Sequence, residues 1–212
     1  MRFQFLIFTS LLFFISSCDR QTANNELYSR HWTEADRTLL LTDLAASQEL
    51  VMESITNLDE DQWNWRADSN HWSIALVVEH LITHDELFFR ELQVLSNLPE
   101  MTKALEKQFS DDDFILSYSE ITPQNNGKSP PYLEPQGRWC TQADAVRSYV
   151  RSRKALIDFV TQADIDLRSY YTTSGRGPTQ YRDLHQLLLI SIAHTERHHK
   201  QIENIKKQLT LS

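Results

Sequence analysis

Four segments of this chain repeat apolar residues at the spacing of a helix face. A long amphipathic helix must bury its stripe against another element, so four in one chain point to a bundle. In the first, Leu40, Leu44, Val51, Ile55 and Leu58 share a face. It starts near Thr33, where Thr33-Glu34-Ala35-Asp36 has Asp in the place of the usual capping-box Glu. The second starts at Ser73, a good N-cap, and carries Val77, Leu81, Phe88 and Leu92 before Pro99 marks its end. The third follows Thr141 with Tyr149, Val150, Leu156, Ile157 and Val160. The fourth begins at Tyr181 to Asp183, runs to Leu209 and buries Leu184, Leu187, Leu188, Ile202 and Ile205.

The connections are unequal. Trp63 and Trp65 lie between the first two segments, and Gly175, Gly177 and Pro178 between the last two. Residues 99–140, with Pro123, Pro130, Pro131 and Pro135, are long enough to cross the bundle. They have room for short helices at Met101–Phe109 and Asp111–Tyr118. The reading is all-α: a four-helix bundle over residues 33–209 with a long crossover between helices two and three. Composition agrees. Only 4 Gly and 6 Pro argue against a many-turned β-sandwich or barrel. No strand pattern of comparable strength is present, and no GxGxxG suggests a dinucleotide fold. A net charge of −8 disfavours nucleic acid as a partner.

The N-terminus reads as an address. Arg2 and the free amine precede an apolar run, Phe3 to Ile15, too short to span a bilayer but suited to a signal-peptide core. Ile15-Ser16-Ser17-Cys18 resembles a bacterial lipobox, which implies a signal peptide over 1–17 and lipidation of Cys18. Residues 18–32 would then tether the domain to a membrane of the bacterial cell envelope. Asp19 resembles an inner-membrane retention signal of enterobacterial lipoproteins; other bacteria sort differently, so the leaflet stays open. Cys140 would be left alone, and a lone Cys is most often an inert core residue.

The histidines carry the chemistry. His194 and His198 are spaced i, i+4 on the fourth segment, in one sector with Leu187, Ser191 and Gln201. His80 and His84 repeat that spacing on the second, beside Val77, Leu87 and Glu91. His199 and Glu196 point elsewhere. Two inward-facing pairs suggest a divalent metal, since neutral imidazole suits Zn²⁺, Ni²⁺ or Fe²⁺. The competing reading is four core histidines, each in need of a hydrogen-bond partner.

Ala193-His194-Thr195-Glu196-Arg197-His198 followed by Gln201-Ile202 resembles the closing signature of the DinB-like superfamily. Trp72-Ser73 with Glu79-His80-Leu81, and Pro131-Tyr132-Leu133-Glu134-Pro135 before Gly137-Arg138-Trp139, are similar to it as well. So are Arg153 and Asp166-Leu167-Arg168. Tyr181 to Gln186 departs from the more apolar stretch of relatives. The resemblance implies a four-helix bundle with a long crossover, and a divalent metal held by His80, His194 and His198. In that pattern His84 is not a ligand. It is left as a neighbour of the site, a substrate-side acid or base, or a fourth ligand. Gln201 is placed to orient a ligand or a bound water.

Three functions fit. The first is a metal-dependent hydrolase of a small-molecule substrate, using metal-activated water. The second is a metal-dependent thiol S-transferase, disfavoured by export because low-molecular-weight thiols are mainly cytosolic. The absence of a basic cluster for an anionic thiol points weakly the same way, since Arg138, Arg151, Arg153 and Arg197 could meet in space. The third is a non-catalytic envelope protein that binds metal or a small ligand. A homodimer is compatible with such a bundle.

Overall fold

The computed structural model describes Leu27 and residues 29–100, 109–120, 129–173 and 181–211. The leader, Cys18, the helix expected at Met101–Phe109 up to residue 108, and the connection with Gly175, Gly177 and Pro178 lie outside the described residues. Four long helices carry the architecture: α1 (Glu34–Ile55), α3 (Ile74–Leu95), α5 (Gln142–Gln162) and α6 (Leu184–Leu209). Short helices α2 (Glu60–Asn64) and α4 (Asp112–Leu116) lie in the connections.

Local chemistry sets the helix starts. Thr33 and Asp36 form a reciprocal capping box at α1, with the backbone N–H of Thr33 donating to Asp36 over 2.8 Å. The side chains of Ser73, Thr141 and Asp183 accept the first free amides of α3, α5 and α6. Asp59 and Gln62 make a second capping box, which is why a five-residue α2 forms between the first two long helices.

Each long helix packs mainly against two others. α1 lies against α5 and α6, and α3 lies against the same two, so α1 and α3 face each other across the bundle. The crossover from α3 first packs α4 on α6, then returns to α3 through a 3₁₀ turn at Pro131–Leu133. Arg37 of α1 caps the end of α5 by donating to the Val160 and Ala163 carbonyls over 2.5 and 2.8 Å.

The core has two apolar halves. Leu40, Leu44, Leu92, Leu156, Leu188 and Ile192 fill one, and Val51, Val77, Leu81, Tyr149, Ile202 and Ile205 fill the other. Buried polar groups on α3, α5 and α6 occupy the sequence positions between those halves: His84, Asp85, Arg153, Thr195 and His198.

Three expectations need correction, and one is met. A two-stranded antiparallel ribbon, β1 (Tyr171–Thr173) with β2 (Tyr181–Asp183), joins α5 to α6, pairing Thr172 with Arg182. Cys140 is exposed, because it stands in the turn just before the α5 cap. Val150 and Leu87 are also exposed, each at the edge of its helix stripe. The short helix expected at Asp111–Tyr118 is present as α4 with a following 3₁₀ turn. Among the described residues, no helix is long and apolar enough to cross a membrane.

Candidate metal centre

α3 and α6 pack side by side, and the i, i+4 spacing turns their histidines toward the shared seam. His80 Nε2 lies 3.0 Å from His194 Nε2, and His198 Nε2 lies 3.1 Å from the same atom. His80 and His198 are buried and His194 half-buried. Three imidazole nitrogens therefore converge on one point, one from α3 and two from α6.

The far side of two rings fixes the tautomers. His80 Nδ1–H donates to the Leu133 carbonyl over 2.8 Å. His198 Nδ1–H donates to Gln201 Oε1 over 2.7 Å. In a neutral imidazole one nitrogen donates and the other accepts, so both Nε2 atoms present lone pairs. His194 Nε2 has a single proton at most and faces both. Its Nδ1 is buried without a hydrogen-bond partner among the described residues. Lone pairs packed this closely repel unless a cation lies between them. Nitrogens that share an ion at about 2.0–2.1 Å in a tetrahedral shell stand about 3.3 Å apart, close to the 3.0 and 3.1 Å seen here.

The electrostatics favour neutral rings. Burial holds His80 below the ordinary histidine range, against its bond to Leu133. Burial pushes His198 down to about 3, with His80 adding to the effect and Gln201 opposing it. His194 sits well below its ordinary value for the same first reason. Deprotonated imidazole is the form that ligates metal.

Two further aromatic groups frame the cluster. Trp72 stacks near His198 with ring centroids 6.3 Å apart and lies 5.0 Å from His80. His84 stacks face to face on His194 at 3.8 Å and against Phe88 at 4.1 Å. His84 is thus a neighbour of the converging nitrogens and not one of them. Gln201 meets His198 from behind.

Residues outside the histidine pattern support the site. Asp85 and Arg153 form a fully buried ion pair at 3.4 Å, and Ser191 bridges them, donating to Asp85 over 2.9 Å and accepting from Arg153 over 3.1 Å. Arg153 also donates to Thr195, tying α3, α5 and α6 together one residue from His84 and His194. Burial pushes the Asp85 carboxyl up, against the opposing charge of Arg153. A signal for this pair was available: Asp85 follows a core histidine, and Arg153 stands i+4 from Tyr149 on the buried stripe of α5. The four arginines considered for an anionic thiol do not all meet. Arg153 is in the core, whereas Arg138 and Arg151 line a surface cavity of about 400 Å³ together with Arg147.

The sequence profile of the DinB superfamily matches residues 43–202. The chain belongs to the DinB superfamily. The match takes in all three converging histidines. The fold of this DinB-superfamily chain is similar to that of YfiT from Bacillus subtilis, with a TM-score of 0.56 at 11% identity. The likeness covers 87% of this chain and 94% of that one. YfiT is described as a probable metal-dependent hydrolase with an unusual four-helix bundle topology. No curated protein matches this DinB-superfamily chain.

Proposed function

We propose that His80, His194 and His198 hold a divalent metal ion, Zn²⁺, Ni²⁺ or Fe²⁺, and that the protein is a metal-dependent hydrolase of a small molecule. The observation that carries the reading is the convergence of three Nε2 atoms, two with their lone pairs fixed by hydrogen bonds at Nδ1. The description of YfiT and the family membership support it. A bound ion supplies Lewis acidity, which brings the pKa of a coordinated water toward neutrality. The chain's own residues do the rest. Gln201 holds the His198 ring, the Leu133 carbonyl holds His80, and Trp72 walls the cluster on one side. His84, kept neutral by burial, stacks on the His194 ring and holds it in place.

Elemental analysis of the purified protein tests the centre. We expect about one equivalent of metal in the parent and little in His80→Ala or His198→Ala. Unchanged metal content in the variants would sink the ligand assignment. Hydrolysis of ester and amide panels by the loaded protein, lost in the same variants, tests the activity.

One observation supports a second reading, thiol transfer: Arg138, Arg147 and Arg151 line one surface cavity, together with Asp144, which pairs with Arg147. Turnover that proceeds with no thiol present rules it out. The proposal also places the protein in the bacterial cell envelope, anchored through Cys18, on the support of the Phe3–Ile15 run and the Ile15–Cys18 motif. A Cys18→Ser variant that stays lipidated would refute the anchor.

A further inference from the structure

Glu79 precedes His80 on α3 and is almost fully buried, with 3% of its surface exposed. Its carboxylate faces the returning crossover. Oε1 accepts from Gln136 N over 2.7 Å and from Arg138 Nε over 3.2 Å. Oε2 accepts from Gly137 N over 2.7 Å and from Arg138 N over 3.0 Å. Three consecutive backbone amides close on one carboxylate, an arrangement of the nest type. Gly137 makes it feasible: its φ of +75° lies where residues with a side chain are strained.

These bonds fasten the backbone of residues 136–138 to α3. The same piece of chain, three residues earlier, carries the carbonyl that accepts from His80 Nδ1. Helix α3 therefore grips the crossover twice, through adjacent side chains. The first grip is charged and multiple; the second is a single neutral bond that depends on where the strand of chain lies.

We propose that Glu79 is a positioning residue for the three-histidine centre: by holding Gln136–Arg138 it places the Leu133 carbonyl on His80 and selects the tautomer with the Nε2 lone pair facing His194 and His198. The consequence for metal binding rests on the function proposed above. The tautomer itself does not need a metal.

The test uses Glu79→Gln in the full chain. The substitution keeps the size of the side chain but turns an amide NH₂ toward amide donors. Nitrogen-15 NMR of the imidazoles in metal-free protein reads the tautomer directly. We expect His80 to be protonated at Nδ1 in the parent and to become a mixture of tautomers in Glu79→Gln. Co²⁺ affinity should fall by roughly 10- to 100-fold, with a changed visible spectrum, as when support behind a metal ligand is lost. Arg138→Met removes only the guanidinium and should keep the parent tautomer. If Glu79→Gln fails to fold, Gly137→Ala displaces the same amides with the acid intact and is read the same way. A His80 signal and Co²⁺ affinity unchanged in a folded variant would overturn the proposal. A parent that takes up no ion would instead remove the metal reading, while the NMR signal still decides the role of Glu79.

Discussion

Two polar clusters of this bundle include buried histidine, and they solve the problem of burial differently. In the first, His80, His194 and His198 turn nitrogens toward one another. In the second, Arg168 at the end of the α5–β1 connection meets three carboxylates: Asp112 at 2.7 Å, Asp36 at 3.2 Å and Asp183 at 3.2 Å. His185 lies 3.7 Å from Asp112 and 3.9 Å from Asp36, and Gln186 donates to Asp112 over 3.0 Å. The second cluster brings its own counter-charges and joins α1, α4, β2 and α6. The first brings donors of one kind and no opposite charge among its three converging groups. A cluster that neutralises itself can be purely structural; one that turns lone pairs toward a common point suits a shared cation.

The comparison can be broken most forcefully at Arg168. Arg168→Met leaves Asp183, fully buried, without its guanidinium, and the loss should be about 3–5 kcal/mol of stability in chemical denaturation. Metal content of any folded fraction should stay that of the parent. Loss of metal together with stability would show that the clusters are not separate devices.

His194→Ala makes the reverse cut. It should abolish metal binding while the metal-free protein stays helical by circular dichroism. In the parent, metal at one hundred times its dissociation constant adds about 2.7 kcal/mol of stability, and the variant should lose that increment.

Acid separates the clusters by ligand. His198 is pushed down to about 3 and His185 to about 4, both first by burial, far below the ordinary histidine value. The unfolded chain therefore binds protons that the folded chain refuses. Stability is full above about pH 6.5 and declines as pH falls toward the folded values, by about 1.4 kcal/mol per pH unit for each such ring. His185→Gln should make this slope shallower by one proton. Saturating metal keeps protons off the triad in the folded state, so the share of the triad should persist to lower pH while that of His185 is unchanged. Asp36 and Asp112 act later: hydrogen bonds from Thr33 to Asp36, and from Arg168 and Gln186 to Asp112, outweigh burial and hold both carboxyls below their usual range.

Gln201→Ala gives the smallest effect. It removes only the acceptor behind His198 and should weaken metal binding by about tenfold, with the melting point of the metal-free protein unchanged. An equal loss in both forms would make Gln201 a packing residue.

Much of the first cluster was legible in the sequence because its geometry is local. Spacing of i, i+4 within one helix places His194 beside His198 whatever the rest of the chain does, and the apolar stripe says which way they point. Helix starts were legible for the same reason: Thr33, Ser73 and Thr141 cap within their own first turns. The Asp59–Gln62 box carried an equally local signal for α2 that the longer stripes on either side obscured. The second cluster was hidden, since Asp36, Asp112, Arg168 and Asp183 come from four elements whose meeting is tertiary. Asp85 and Arg153 each showed locally by interrupting an apolar stripe, but their pairing across α3 and α5 is tertiary and did not. The β1–β2 ribbon has three residues per strand, too few to show an alternation. The outward place of Cys140 follows from the turn before Thr141, which outweighs the usual burial of a lone cysteine.

The ring order of the helices also governs how the chain comes together in time. The first long helix made, α1, rests against α5 and α6, the last two. Its stripe from Leu40 to Ile55 meets its main partners only once the C-terminal third has been synthesised. Folding here is a closing event that joins the two ends of the sequence, and loop-closure entropy is spent before those contacts form. Such a bundle refolds more slowly than an up-and-down bundle of equal length, whose neighbours in sequence are neighbours in space.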